Sequence, residues 1–150
     1  MPERQIDRRN NLTVLLLPLA DRMLVLPNVA VAELIDYQEP VPTPGAPAWA
    51  LGRIAWRDRV VPLVSFEAAC GTAAMQGERA RIVVLNAVGE GTQGFVAILV
   101  QGIPRSYKVD SQLSYLDVPL AALELAAVQI ADQVARVPDL LGLERLVQQS

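Results

Sequence analysis

Glu33, Asp36 and Glu39, then Arg53, Arg57, Asp58 and Arg59, and further on Cys70, are the side chains whose types could do chemistry in this sequence. Paired carboxylates act as acid and base in glycoside hydrolysis, and a catalytic carboxylate needs a raised pKa in a cleft. The three upstream carboxylates are spaced instead like the exposed end of a strand and its following loop. The chain contains one cysteine and no histidine. Ser-His-Asp and Cys-His triads are therefore excluded, no zinc set can be assembled, and no histidine can accept a phosphoryl group. Cys70, just before Gly71, reads as a small, partly buried residue rather than a reactive thiol. Gly89, Gly91 and Gly94 lead into Phe95 and a strand-like run, so they read as a hairpin tip; a phosphate-cradling loop would open a helix. No catalytic residue, cofactor or metal is expected, and the arginines with Glu33 are left for recognition.

Such groups need a rigid mount, and residues 40–66 provide one. Pro40, Pro42, Pro44 and Pro47 each fix φ near about −65° and remove a backbone donor, which excludes helix interior and central strand and leaves an ordered, extended connector. Pro44-Gly45 is a turn dipeptide, and Trp49 is an aromatic plate able to pin the connector to a core. Gly52 opens an apolar run, read as a close backbone approach against Trp49; Arg57-Asp58-Arg59 turns it, and Val60-Val61-Pro62-Leu63-Val64 returns, giving a strand hairpin. Other short β-branched or alternating runs predict strands over 13–17, 23–25, 29–35, 81–87, 95–100, 106–109 and 126–130. Residues 118–128 are rich in Ala and Leu and favour helix on propensity alone; a short helix or turn at 120–123, then a strand, is expected there.

Composition narrows the function further. A net charge of −3 and a pI near 4.9 exclude a phosphate-backbone binder. Hydrophobic residues make up 52% and mean hydropathy is +0.30, yet charges or prolines interrupt every apolar run before the roughly 20 residues that cross a bilayer. The surplus predicts a large core plus adhesive surfaces. Residues 1–11 are charged, lack a signal-peptide core, and read as a disordered tail of a cytoplasmic protein; 12–150 read as one domain. Two halves are suggested by repeats: Ile103 follows Val31 by 72 positions, and Asp132 follows Asp58 by 74. Ser65 and Asp139 are corresponding N-cap residues, each opening a short helix.

The order of motifs resembles the CheW-like family of chemotaxis adaptors. Pro44-Gly45-Ala46-Pro47-Ala48-Trp49, then Gly52, Arg57 at a turn and Val60-Val61-Pro62, follow its central pattern. Leu24-Val25-Leu26-Pro27 with Val31-Ala32-Glu33-Leu34-Ile35 is similar to its strand and V-x-E-V signature, and residues 81–85 and 95–102 to its later strand pair. Three positions depart from the pattern: Asp58 where the turn glycine stands, Ser65 at an acidic position, and Gln101 where the family has aspartate. The resemblance implies a mainly β fold of two packed five-stranded small barrels with short helices around a shared apolar seam, the N-terminal strand crossing to complete the other half. It implies a non-catalytic adaptor holding a methyl-accepting chemoreceptor's cytoplasmic tip to the regulatory domain of a CheA-type histidine kinase, without membrane insertion. Partner-binding residues would be Val31, Glu33, Gly52, Trp56, Arg57, Asp58 and Arg59, with Glu33 and Arg57 paired across neighbouring strands. The alternative is a small-ligand-binding regulatory β-barrel, which requires an apolar cavity with convergent polar groups.

Overall fold

Near-continuous apolar runs such as Leu15–Leu17, Val83–Leu85 and Val96–Val100 suit strands buried on both faces, and the computed structural model places them so. It describes residues 12–73, 76–86, 94–109 and 114–148; the expected tail and the Gly89 to Gly91 hairpin tip lie outside them. In chain order the strands are β1 (Leu12–Pro18), β2 (Met23–Pro27), β3 (Val31–Asp36), β4 (Ala50–Trp56), β5 (Arg59–Val64), β6 (Arg81–Leu85), β7 (Val96–Val100), β8 (Arg105–Val109), β9 (Ser114–Tyr115), β10 (Glu124–Ile130) and β11 (Gln133–Pro138). Helix α1 (Phe66–Ala69) follows β5, and α2 (Leu140–Gln148) follows β11.

Two sheets form, in the orders β8-β1-β2-β11-β10-β9 and β3-β6-β7-β5-β4. Without the two-residue β9 the orders are equivalent, each antiparallel except for one parallel contact, β11 with β2 and β5 with β7. The chain thus lays down the same unit twice, a strand pair followed by a strand, a hairpin and a helix. Each sheet takes its strand pair from one unit and its remaining strands from the other. The expected crossing strand is therefore a crossing pair, β1 and β2.

The exchanged pairs create the seam. Ile82, Val84, Ala97 and Leu99 point into the five-stranded subdomain, while Val83, Leu85, Val96 and Ile98 point outward to meet Leu17, Leu24 and Leu26 of the other sheet. Val14, Leu16, Val25, Val128 and Ile130 fill the second subdomain. Period-two burial on both faces gives four central strands no polar side. Polar contacts pin α1 across the seam. Ala20 N–H donates to buried Glu67 at 2.8 Å, the Thr72 hydroxyl reaches Asp21, and the Arg22 guanidinium lies 5.7 Å from the Phe66 ring centroid. Arg22 also donates to Glu124 at 2.8 Å, and Arg136 meets the same carboxylate at 3.2 Å. The Arg22 guanidinium holds the Asp21 carboxyl below its usual range.

Several expected elements shift. Asn28–Ala30 is a 3-10 turn closed by Val31 N–H to Asn28 O, so the strand starts at Val31 rather than at Val29. In 118–128 the expected turn does form, at Ala122 and Leu123, and the strand β10 follows; helical propensity is overridden by burial of Ala127, Val128 and Ile130 against β11. Strand β11 was not expected; its partner β2 lies more than 100 residues away in sequence.

Candidate functional site

The β4–β5 hairpin turns through Arg57 and Asp58, whose φ angles of 49° and 60° are both left-handed. That pair of positive φ values belongs to the two-residue turn whose twist matches antiparallel strands. Asp58 holds the conformation that glycine adopts freely, at a cost of order 1 kcal/mol. The tip is exposed, whereas Trp56 just before it is 7% exposed. Alternation along β4 dictates this, since Gly52, Ile54 and Trp56 face inward and Arg53 and Ala55 outward.

Trp56 is the pivot. Its ring meets Phe95 edge-on at 4.7 Å and 67°, and its Nε1–H donates to Glu33 Oε1 at 2.8 Å. Arg57 Nη2 reaches the same oxygen at 3.1 Å, with its guanidinium 4.8 Å from the Trp56 ring centroid. Arg59 lies over Phe95 at 5.0 Å. The Arg57 and Glu33 side chains are 65% and 40% exposed, so the ion pair contributes only about 0–1 kcal/mol. Its value is geometric: a buried indole N–H and a stacked guanidinium fix the orientation of one surface carboxylate.

The expected Glu33–Arg57 pair is present, but not between hydrogen-bonded neighbours. β3 and β4 are opposite edges of their sheet. Side chains close the gap: the Gln38 amide donates to Ala55 O and accepts from Ala55 N–H, both at 3.1 Å. Gln38 and Phe95 were missed in the sequence; Phe95 carried a signal as the aromatic residue opening a strand-like run. Val31 lies two residues before Glu33, across a register shift that re-aims β3, and packs on the seam core instead of joining the cluster. Asp58 makes no ion pair among the described residues.

Gly52 has a different reason from the one expected. Its φ is 139°, and a Cβ there would lie 2.5 Å from the Val41 carbonyl oxygen, not against Trp49. Val41 and Arg53 exchange backbone hydrogen bonds at 2.9 and 3.0 Å, which staples the proline connector to β4. Trp49 packs on the seam core, as an anchoring plate should. Connector, β5 and α2 together enclose a groove of about 770 Å³, lined by Pro47, Trp49, Pro62, Phe95, Leu146 and Val147 among others. Arg59 and Phe95 belong to both the groove and the charged cluster.

Burial pushes the Cys70 thiol up, and its S–H donates to Ala122 O at 2.7 Å. Among the described residues no group of three metal-ligating side chains comes together, and no helix is long and apolar enough to cross a membrane.

The CheW-like domain family matches residues 13–147, which is nearly the whole chain. The chain belongs to the CheW-like domain family. No curated protein matches the sequence. Among solved structures, the CheW-like fold is shared with the scaffolding protein TtCheW from Thermoanaerobacter tengcongensis, with a TM-score of 0.72 over 85% of this chain and 84% of that one, at 15% identity. At that identity the likeness speaks for architecture, the two β subdomains expected. Family membership makes this CheW-like domain an adaptor of chemotaxis-type signal transduction.

Proposed function

We propose that this CheW-like domain is a cytoplasmic, non-catalytic coupler joining a methyl-accepting chemoreceptor's cytoplasmic tip to the regulatory domain of a CheA-type histidine kinase, in a chemotaxis or twitching-motility array. The observation that carries the reading is the oriented Glu33–Arg57 pair, held by buried Trp56 beside an apolar groove. An exposed ion pair adds little stability, so fixing it with an indole and a second aromatic serves recognition better than folding. A groove of this size with charge at one side suits an amphipathic helical partner, whose apolar face fills it while polar residues meet Glu33, Arg57, Asp58 and Arg59. Gly52, Trp56 and Val31 act in this scheme by shaping the site. Holding two partners at once raises their effective concentration, and a receptor change that alters its fit to the adaptor biases the kinase by linkage, with no chemistry in between.

Binding of a receptor cytoplasmic fragment and of a kinase regulatory domain to the parent and to Arg57→Glu tests this. The expected result is about tenfold or greater weakening toward one partner with an unchanged thermal melt. If the variant binds both partners as tightly as the parent, the site assignment fails; if the parent binds neither, the coupling role fails.

A further inference from the structure

A second pocket, of about 670 Å³, is lined by residues of both sheets and carries an unbalanced charge. Arg79, Arg81 and Arg105 all line it, and no carboxylate does, in a chain whose net charge is −3. Arg79 and Arg105 form no ion pair among the described residues, and Arg81, which also donates to Ala80 O at 3.1 Å, pairs only with the fully solvated Asp36, at 3.9 Å. Three guanidiniums lining one recess without a carboxylate give it a positive wall that an anionic group would neutralise.

The pocket is the internal counterpart of the charged cluster. Glu33 on β3 pairs with Val84 on β6, and Arg105 on β8 pairs with Leu16 on β1, the equivalent strand. Met23 stands at the entry to β2 where Phe95 stands at the entry to β7, and Gln133 opens β11 as Arg59 opens β5. Duplication thus places the Arg105 guanidinium at the strand position that the Glu33 carboxylate holds in the charged cluster. Gln101 reinforces the reversal. It is neutral where the family motif has aspartate, and its Oε1 accepts from Gly77 N–H at 2.6 Å, holding the turn that carries Arg79.

The geometry points to this pocket as a docking site for an acidic segment of a partner protein, carrying two or more carboxylates beside an apolar side chain. Guanidinium forks match carboxylates bidentately. Ile103, 64% exposed, and Met23 offer apolar contact within the same recess. No aromatic ring lines it to stack a nucleobase, which favours a peptide over a nucleotide. The inference stands on this pocket alone and does not require the receptor–kinase role.

Fluorescence anisotropy tests it with a labelled peptide alternating glutamate and leucine, and with the same peptide carrying glutamine for glutamate. The full chain should bind the glutamate peptide saturably and about tenfold or more tightly than its glutamine version, an advantage that shrinks between about 50 and 300 mM salt. The double variant Arg79→Ser with Arg105→Ser, its melt unchanged, should lose that advantage, while Arg145→Ser, which removes a charge outside the pocket, should keep it. No saturable binding, equal binding of both peptides, or full binding by the double variant overturns the proposal. Displacement of the peptide by micromolar inorganic pyrophosphate overturns it in favour of a small phosphate ligand. A dimer in sedimentation that the double variant abolishes overturns it in favour of a second copy.

Discussion

In the β4–β5 hairpin the register shift falls between Ala50 and Gly52, the strand ends in Trp56, and the turn opens on Arg57; in the β10–β11 hairpin the shift falls between Glu124 and Ala126, the strand ends in Ile130, and the turn opens on Ala131. Arg57 and Ala131 have φ angles of 49° and 54°. Each hairpin runs into a helix capped alike, with Ser65 accepting from Ala68 N–H at 3.2 Å and Asp139 from Gly142 N–H at 2.9 Å. The surfaces differ: the first tip carries three charged residues beside Trp56 and Phe95, while the second carries Asp132 alone and its hairpin exposes Leu125 and Val134. One hairpin is therefore a control for the other. Bulge, turn and cap recur because the fold needs them; the Trp56, Arg57, Glu33 constellation does not recur, so the architecture can be built without it. That argues for contact rather than stability as the reason it exists.

The largest difference between the hairpins is expected at the bulge. Gly52 occupies a backbone region open almost only to glycine, with Val41 O where a Cβ would go. Ala126, its counterpart, has no positive φ and tolerates a side chain. Gly52→Ala should cost about 3 kcal/mol, combining backbone strain with loss of the Val41–Arg53 staple. Ala126→Gly should cost about 1 kcal/mol or less, the entropic penalty alone. Urea unfolding of both variants measures the difference; equal losses would mean that the two bulges are constrained alike.

Particular residues show how far the sequence could be read. The apolar runs around Leu16, Val25, Val83 and Ile98 announced strands, because burial on both faces leaves no polar position to disguise them. Glu33 and Arg57 were legible as a pair through the resemblance of their segments to the family pattern, since an exposed ion pair by itself says little. That they meet across a gap between sheet edges was not legible, because edge closure depends on Gln38 and Trp56 side chains and not on a backbone ladder. Strand exchange was legible only through the family resemblance, and there as one N-terminal strand rather than a pair: β1 and β6 have the same apolar pattern, so nothing local says which unit each will complete. Burial of Trp56 fits the core role usual for a tryptophan two residues after Ile54, while its charged neighbours also suggested an interface anchor.

A smaller effect is expected from Trp56→Phe, which keeps a ring against Phe95 and removes the Nε1 donor. Ile130 has no such donor, so the variant makes the first hairpin resemble the second. A loss of about 1 kcal/mol is expected for the hydrogen bond to a partly exposed carboxylate. A double-mutant cycle with Glu33→Gln should then return a coupling of about 0.5–1 kcal/mol. Zero coupling would mean that Trp56 fills the core without orienting Glu33.

The smallest expected change separates folding from docking most cleanly. Asp58 sits at φ 60° and Ala131 at φ 54°, where glycine would be unstrained. Asp58→Gly and Ala131→Gly should therefore each stabilise the chain by about 0.5–1 kcal/mol, less the added entropy of the unfolded glycine. The two gains should add, because the hairpins belong to different sheets and share no partner. Partner binding should respond differently. Ala131 carries no group for recognition, so its replacement should leave affinity unchanged, whereas removing the Asp58 carboxylate should weaken binding at the charged tip even as the melt rises. A variant that is more stable and a poorer binder would show an aspartate retained for contact against the preference of its own turn. If Asp58→Gly binds as tightly as the parent, the aspartate is a tolerated departure from glycine, and the contact surface contracts to Glu33, Arg57 and Arg59.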